Sequence, residues 1–156
     1  MTGFARLAVL SSLALSSGIC AAQVANLTGT WKLNVQKSSW GRRPKPVSVL
    51  VNIEHREPLV KYFGTVVDAS QEIREFNFSG TIDGKEYPTT TAYGEGKVRL
   101  SRMDRRTISA DLRSDDDKFT QAITTTVSRD GKVMTRRLRL KAPDGAVSWT
   151  EVYEKQ

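Results

Sequence analysis

Hydrophobic and other residues alternate along most of the chain after residue 28. The clearest run is VSVLVNIE at 47–54, in which Val47, Val49, Val51 and Ile53 occupy every second position. A period of two is typical of a β-strand with one buried face. The chain is therefore expected to be built from strands that each turn one apolar side toward a common interior.

Ten such segments follow one another after residue 28. They are rich in Thr, Val, Ile and aromatic residues, which favour strands, and turn-forming residues such as Asp83-Gly84 and Asp130-Gly131 separate them. They span residues 30–35, 47–54, 59–68, 71–79, 85–92, 97–103, 106–113, 118–128, 132–141 and 146–154. Short connections between neighbouring strands predict an all-β fold, a single antiparallel up-and-down β-barrel of about ten strands. A two-sheet sandwich is the alternative.

The first residues have the layout of a secretory signal peptide. Arg6 precedes an apolar run from Leu7 to Ile19, and Cys20-Ala-Ala22 supplies small residues for cleavage. We therefore expect a signal peptide at 1–22 and a single barrel domain at 23–156. Ile19 stands where a lipoprotein signal has a small residue, so no lipid anchor is expected.

Cleavage after Ala22 would remove the only cysteine and leave a chain without disulfides. Such a domain suits the bacterial periplasm, and the expected location is periplasmic or secreted, with no transmembrane segment in the mature chain. The sequence carries 24 Lys and Arg against 17 Asp and Glu, a net charge of +7. That excess favours anionic partners such as an envelope surface, although no specific nucleic-acid partner is indicated.

The segment 36–46, QKSSWGRRPKP, is the longest connection between predicted strands. Pro44 and Pro46 exclude regular strand pairing there, and Trp40 lies among basic residues. We expect Trp40 to close one end of the barrel; the alternative is a mobile lip or a patch for anionic surfaces.

Two short motifs carry a family resemblance. Thr28-Gly-Thr-Trp-Lys-Leu33 resembles the Gly-x-Trp first strand of the calycins, the lipocalins and fatty-acid-binding proteins. Thr150-Glu-Val-Tyr-Glu-Lys155 is similar to the last strand of the fatty-acid-binding proteins. The first strand with its Lys37-Ser38 turn and the acidic-Lys tail also resembles exported bacterial lipocalin-like proteins of unknown function. The resemblance implies a calycin barrel that holds a small apolar or amphipathic ligand.

The resemblance also shows where this chain departs from the lipid carriers. Tyr153 stands where those proteins have the Tyr that helps to hold a ligand carboxylate, but Glu151 occupies the position of their Arg. A carboxylate there repels a carboxylate ligand and needs a partner inside the barrel. Segment 36–46 is also too short for the helical lid of that family, so a cytosolic fatty-acid carrier is not expected.

Strand 132–141 offers that partner in either of two phases, because Arg136 and Arg137 are adjacent. In lipocalins an Arg of a late strand packs across the signature Trp. We therefore expect Arg137 to lie over Trp31, close enough to Glu151 to pair. In the alternative, both arginines are solvated and Glu151 faces water.

No catalytic, metal or cofactor site is evident in the sequence. His55 is the only histidine and lies among charged residues, where a turn position is expected. Asp115-Asp116-Asp117 lacks the ligand spacing of an EF-hand, and no Gly-x-Ser-x-Gly motif occurs. We therefore expect no cofactor and no enzyme, with a catalytic barrel as the least favoured hypothesis.

Two functional hypotheses remain. In the first, the barrel holds a small apolar or amphipathic ligand, with Tyr153, Arg137 and Glu151 as polar residues of the site and Trp31, Val49, Val51 and Phe119 as its wall. In the second, the barrel is filled by its own side chains and acts through a basic exterior on an anionic envelope component or a protein partner.

Overall fold

Residues 24–156 are described by the structure, which is a computed structural model. The predicted signal peptide, residues 1–22 with Cys20, lies outside the described residues. Within 24–156 no helix has the length and apolar character needed to cross a membrane.

Ten strands run from residue 29 to residue 155. They are β1 (Gly29–Leu33), β2 (Ser48–Arg56), β3 (Leu59–Val67), β4 (Ile73–Thr81), β5 (Glu86–Thr91), β6 (Gly94–Arg102), β7 (Thr107–Ser114), β8 (Thr120–Val127), β9 (Val133–Ala142) and β10 (Gly145–Lys155). Each pairs antiparallel with its neighbour in sequence, and β1 pairs with β10 to close the barrel. The prediction of an all-β, ten-strand, up-and-down barrel is confirmed, and the sandwich alternative is wrong.

Alternation in the sequence becomes alternation between the barrel interior and its outer surface. In β2, Val49, Val51, Ile53 and His55 are buried and the residues between them are exposed. Successive side chains of a strand point to opposite faces, so one apolar residue in two is enough to line the interior.

Strand β6 begins earlier than the sequence suggests. The predicted segment starts at residue 97, but Gly96 already pairs with Thr89 on one side and Ser114 on the other. A Cβ at Gly96 would lie 2.5 Å from the carbonyl oxygen of Arg113, so glycine permits a close approach of two backbones. The turn itself is at residues 92–93.

The pairing between β4 and β5 is the shortest in the barrel. It consists of two register pairs, Asn77 with Thr90 and Phe78 with Thr89. By comparison, β9 and β10 share ten pairs, from Gly145–Ala142 to Glu154–Val133. The wall of the barrel is therefore least continuous between β4 and β5.

One end of the barrel is closed by the segment that precedes β1. The Trp31 side chain is 0% exposed and its indole N–H donates to the Leu27 carbonyl at 2.7 Å. Leu27 in turn donates its backbone N–H to Nδ1 of His55 at 3.1 Å. This end is called the floor below, and the opposite end is called the mouth.

His55 is buried at the floor, with 6% of its surface exposed, and is not the exposed turn residue that its charged neighbours suggested. Because Nδ1 accepts the Leu27 N–H, Nε2 carries the proton and donates to Glu57 at 2.7 Å. Glu57 also accepts hydrogen bonds from Arg102. The histidine thus links the first described segment to Glu57 in the turn after β2 and, through Glu57, to Arg102 at the end of β6.

Candidate ligand-binding cavity

A cavity of about 550 Å³ lies inside the barrel and opens at the mouth. Most of its wall is aliphatic and aromatic, because the inward positions of β2, β3, β4, β6, β7 and β8 carry apolar residues. They include Val51, Val60, Phe76, Leu100, Ile108, Leu112 and Ile123. The volume falls in the range of roughly 300–1,000 Å³ that is typical of small-molecule sites.

A polar cluster interrupts this apolar wall on β9 and β10, where Glu151 is its centre. The Glu151 carboxylate accepts hydrogen bonds from Trp149 Nε1 at 2.8 Å, Tyr153 Oη at 3.0 Å and Arg136 Nη1 at 3.3 Å. Arg136 and Glu151 are cross-strand partners, so the register of β9 and β10 brings their side chains together. The Glu151 side chain is 13% exposed and that of Arg136 is 26% exposed, and both line the cavity.

The electrostatics of the cluster fix its protonation states. Burial, and next to it the charge of Glu151, raise the pKa of the Tyr153 hydroxyl well above its ordinary value. Burial also raises the pKa of Tyr62 on the facing wall, although the charge of Arg136 opposes it. Burial works against the charged form of Arg136, but Glu151 outweighs it and raises the guanidinium pKa. Both phenols therefore stay protonated, and Arg136 stays cationic.

The mouth is covered in part by residues 36–46, called the strap below. Trp40 is buried in the cavity wall, as expected for a residue that closes one end. Arg43 lies over the Trp149 ring, with its Cζ 3.9 Å from the ring centroid, and donates a hydrogen bond to Tyr93 Oη at 2.8 Å. Arg43 thus links the strap both to β10 and to the turn between β5 and β6.

Basic residues outnumber acidic ones where the cavity opens. Arg43, Lys45 and Arg74 line this part of the cavity, together with one acid, Asp68. Arg74 already pairs with Asp68 at 3.4 Å and with Glu72 at 2.7 Å. The net positive charge at the mouth is therefore carried by Arg43 and Lys45.

Four of the residues predicted for the site line the cavity: Val49, Val51, Glu151 and Tyr153. The other three do not. Trp31 is sealed in the floor, and Phe119 packs against the core from the turn before β8, outside the cavity lining. Arg137 is exposed on the outer surface of the barrel.

The predicted contact of Arg137 with Trp31 and Glu151 is therefore wrong, and Arg136 is the inward arginine. Arg136 has the same strand phase as Met134 and Leu138, which are both buried, so their burial decides which arginine enters the barrel. The cation near Trp31 is Lys155, whose Nζ lies 5.5 Å from the ring centroid. Lys155 is the register partner of Trp31 on β10.

Sequence reasoning missed Trp149, Tyr62 and the role of Arg43. Trp149 and Tyr62 each occupy an inward-facing position of a strand. The alternation of inward and outward positions along the strand was the sequence signal that could have identified them. No local pattern places Arg43 over Trp149, because the two residues are far apart in sequence and meet only when the barrel closes. Within residues 24–156, no group of three or more His, Cys, Asp or Glu side chains is arranged to hold a metal ion.

The comparisons with solved structures agree with this architecture. A Schistosoma mansoni fatty acid binding protein in complex with arachidonic acid is 14% identical, with a TM-score of 0.55 over 86% of this chain and 98% of that one. A zebrafish ileal bile acid-binding protein complexed with cholic acid is also 14% identical, with a TM-score of 0.54 over 83% and 98% of the two chains. The M. tuberculosis protein Rv2717c is 14% identical, with a TM-score of 0.56 over 83% and 92%.

The chain shares its barrel fold with these proteins. The resemblance seen at the two chain ends is thereby confirmed at the level of fold. No family model matches the sequence, and no curated protein matches it. At 14% identity the solved structures establish the fold alone.

Proposed function

We propose that this calycin barrel is an exported, non-catalytic protein that binds a small apolar or amphipathic molecule in its interior. The observation that carries the proposal is the cavity of about 550 Å³, apolar over most of its wall and open at the mouth. Two of the structurally similar proteins were solved with an amphipathic acid, arachidonic or cholic acid. The alternative of a barrel filled by its own side chains does not fit this volume.

The polar cluster limits which polar group the ligand carries. Glu151 already accepts three hydrogen bonds, whereas a guanidinium has five N–H donors and Arg136 gives one of them to Glu151. Among the described residues no buried side-chain nitrogen or oxygen lacks a partner, and Arg136 lines the cavity, so we expect its remaining donors to be accessible to a ligand there. The ligand is therefore expected to bring a hydrogen-bond acceptor to Arg136.

That acceptor is expected to be uncharged. Arg136 and Glu151 neutralise each other, so a carboxylate placed at Arg136 would lie beside a second carboxylate in a poorly solvated cavity. An amide, ketone or ester oxygen accepts the same hydrogen bond without that repulsion. Any negative charge of the ligand is better placed at the mouth, near Arg43 and Lys45.

The binding experiment compares two probes of equal chain length, nonanamide and nonanoate, at pH 7. Trp149 lines the cavity, so its fluorescence reports occupancy. We expect the wild-type protein to bind the amide more tightly than the carboxylate. A charge-assisted hydrogen bond contributes about 1.5–3 kcal/mol, so Arg136→Gln should weaken amide binding by roughly tenfold or more.

Arg137→Gln is the matched control, since it removes the same charge from the neighbouring position on the outer surface. It should leave nonanamide affinity unchanged. Native mass spectrometry of gently extracted protein should also show a co-purifying small molecule. If neither probe binds saturably and no molecule co-purifies, the proposed function is wrong.

Export is a separate part of the proposal and has its own test. It is supported by the apolar run Leu7–Ile19 and by the small residues Cys20-Ala-Ala22. In a bacterial host the mature protein should be recovered from the periplasm, and its intact mass should match a chain that begins at Gln23. A full-length chain that stays in the cytoplasm would overturn this part and leave the binding proposal standing.

A further inference from the structure

The outer surface of β9 carries two arginines next to each other. Arg137 and Arg139 are two positions apart, so both project outward from the same strand, and both are exposed. At about 3.4 Å per residue their Cα atoms lie roughly 7 Å apart. Two like charges at this spacing repel each other unless an anion lies between or beside them.

The residues on both sides of these arginines are small. On β8, Thr124 pairs with Arg137 and Ala122 pairs with Arg139; on β10 the corresponding partners are Thr150 and Ser148. The result is a groove of about 410 Å³ on the outer surface. Ser39 of the strap borders it, because Ser39 forms a β-bridge with Thr150. The groove therefore combines two guanidinium groups with several side-chain hydroxyl groups.

Two other outward-facing arginines, on β6 and β7, differ because each lies close to acidic residues. Arg99 on β6 and Arg113 on β7 lie 3.8 and 3.7 Å from Glu86, and Arg113 also pairs with Asp117 at 3.3 Å. Within residues 24–156, neither Arg137 nor Arg139 forms a salt bridge. Asp111 is in the same cross-strand row as Arg139, but the β8 strand separates the two, which puts about 10 Å between their strands.

We propose that this groove is an anion-binding site for a phosphate group, held by Arg137 and Arg139 and by the hydroxyl groups of Thr124, Ser148 and Thr150. Guanidinium groups match the oxygens of phosphate with paired, charge-assisted hydrogen bonds. Hydroxyl groups supply further donors at the groove wall. The phosphate belongs either to a soluble phosphate ester or to a lipid headgroup. The site is on the opposite side of the barrel wall from the cavity and does not depend on the proposed function.

The test uses amide chemical shifts of the full mature chain, titrated with glycerol 3-phosphate at constant ionic strength. Sodium chloride balances the salt, so that general screening is the same at every point. We expect saturable shifts confined to β8, β9, β10 and the strap near Ser39. Arg137→Gln/Arg139→Gln should raise the Kd by about tenfold or more, which corresponds to one lost charge-assisted interaction.

Arg99→Gln/Arg113→Gln is the matched control, because it removes the same two charges from the same outer surface. It should change the Kd less than about twofold. Equal losses in the two double variants would mean that net charge alone attracts phosphate, and the proposed site would be wrong. A titration without saturable shifts would overturn it equally. Cooperative urea unfolding of each variant verifies that the barrel remains folded.

Vesicles distinguish the two sources of phosphate. Co-sedimentation with phosphatidylglycerol vesicles, lost in Arg137→Gln/Arg139→Gln and retained in the control, would identify a lipid headgroup. Glycerol 3-phosphate binding without co-sedimentation would identify a soluble ester. Arg137→Lys/Arg139→Lys keeps both positive charges but removes the paired N–H donors of the guanidinium groups, called the guanidinium fork. If those paired hydrogen bonds matter, this variant should bind glycerol 3-phosphate more weakly than the wild type. Full affinity in this lysine variant would refute recognition by the guanidinium fork.

Discussion

Separating Arg136 from Glu151 should destabilise the barrel, and removing both should cost less than the two single losses together. The perturbation is a double-mutant cycle built from Arg136→Gln, Glu151→Gln and the double variant. These substitutions remove charge and keep side chains that form hydrogen bonds. In Glu151→Gln the amide oxygen still accepts the Trp149 N–H, which lies 2.8 Å from the present carboxylate.

The magnitude follows from burial and from the remaining partners. Removing one member of a fully buried ion pair costs about 3–5 kcal/mol. Here the two side chains are 26% and 13% exposed, toward the cavity, and Glu151 keeps the hydrogen bonds of Trp149 and Tyr153. Each single change is therefore expected to lower the free energy of unfolding by about 2 kcal/mol. The double variant should also lose about 2 kcal/mol, since it leaves no unpaired charge.

The assay is urea unfolding followed by tryptophan fluorescence, with linear extrapolation to water for each of the four proteins. A coupling free energy of about 1–2 kcal/mol is expected between the two positions. The control is the same cycle at Arg113 and Asp117, whose side chains are 47% and 74% exposed. That exposed pair should be additive within about 0.5 kcal/mol. Additive losses at Arg136 and Glu151 would refute the reasoning that the cavity desolvates this pair.

Two further predictions concern the floor and the wall. Burial raises the pKa of Glu57, but hydrogen bonds from Arg102 and His55 outweigh it and hold that pKa below its ordinary value of 4.5. The stability contributed by this carboxylate is present above pH 4.5 and is lost as the pH falls through its lower folded-state pKa. In a plot of the urea unfolding midpoint against pH, Glu57→Gln should therefore reduce the decline of the midpoint on the acid side. An unchanged decline would contradict this. Gly96→Ala places a methyl group 2.5 Å from the Arg113 carbonyl oxygen and should cost about 1–3 kcal/mol by urea unfolding; an unchanged free energy of unfolding would contradict this.

The strands could be predicted because each carries its own signal. Alternation in segment 47–54 identifies β2 and its buried face without reference to any other part of the chain. The barrel followed from ten such segments joined by short turns, since pairing each with the next and closing the ends leaves no unpaired edge. The inward positions Val49 and Val51 were found for the same local reason, whereas Glu151 and Tyr153 were found from the resemblance of the last strand to that of the fatty-acid-binding proteins.

The remaining features depend on contacts between distant parts of the chain. Two adjacent arginines give a strand no phase by themselves, and burial of Met134 and Leu138 turns Arg136 inward. His55 looked exposed among charged neighbours, but Leu27 covers it from a segment 28 residues away. The strap is the third case, because only the closed barrel brings Arg43 to Trp149.

The short pairing between β4 and β5 has a consequence for how the barrel opens. A closed barrel with ten equal seams would exchange its backbone amide hydrogens only by global unfolding, whereas a seam of two register pairs can separate alone. Amides of Asn77, Phe78, Thr89 and Thr90 are the ones that such an opening would expose. The opening would admit water beside Phe76, which lines the cavity. Hydrogen exchange would then distinguish a barrel that opens locally between β4 and β5 from one whose interior is accessible to solvent only at the mouth.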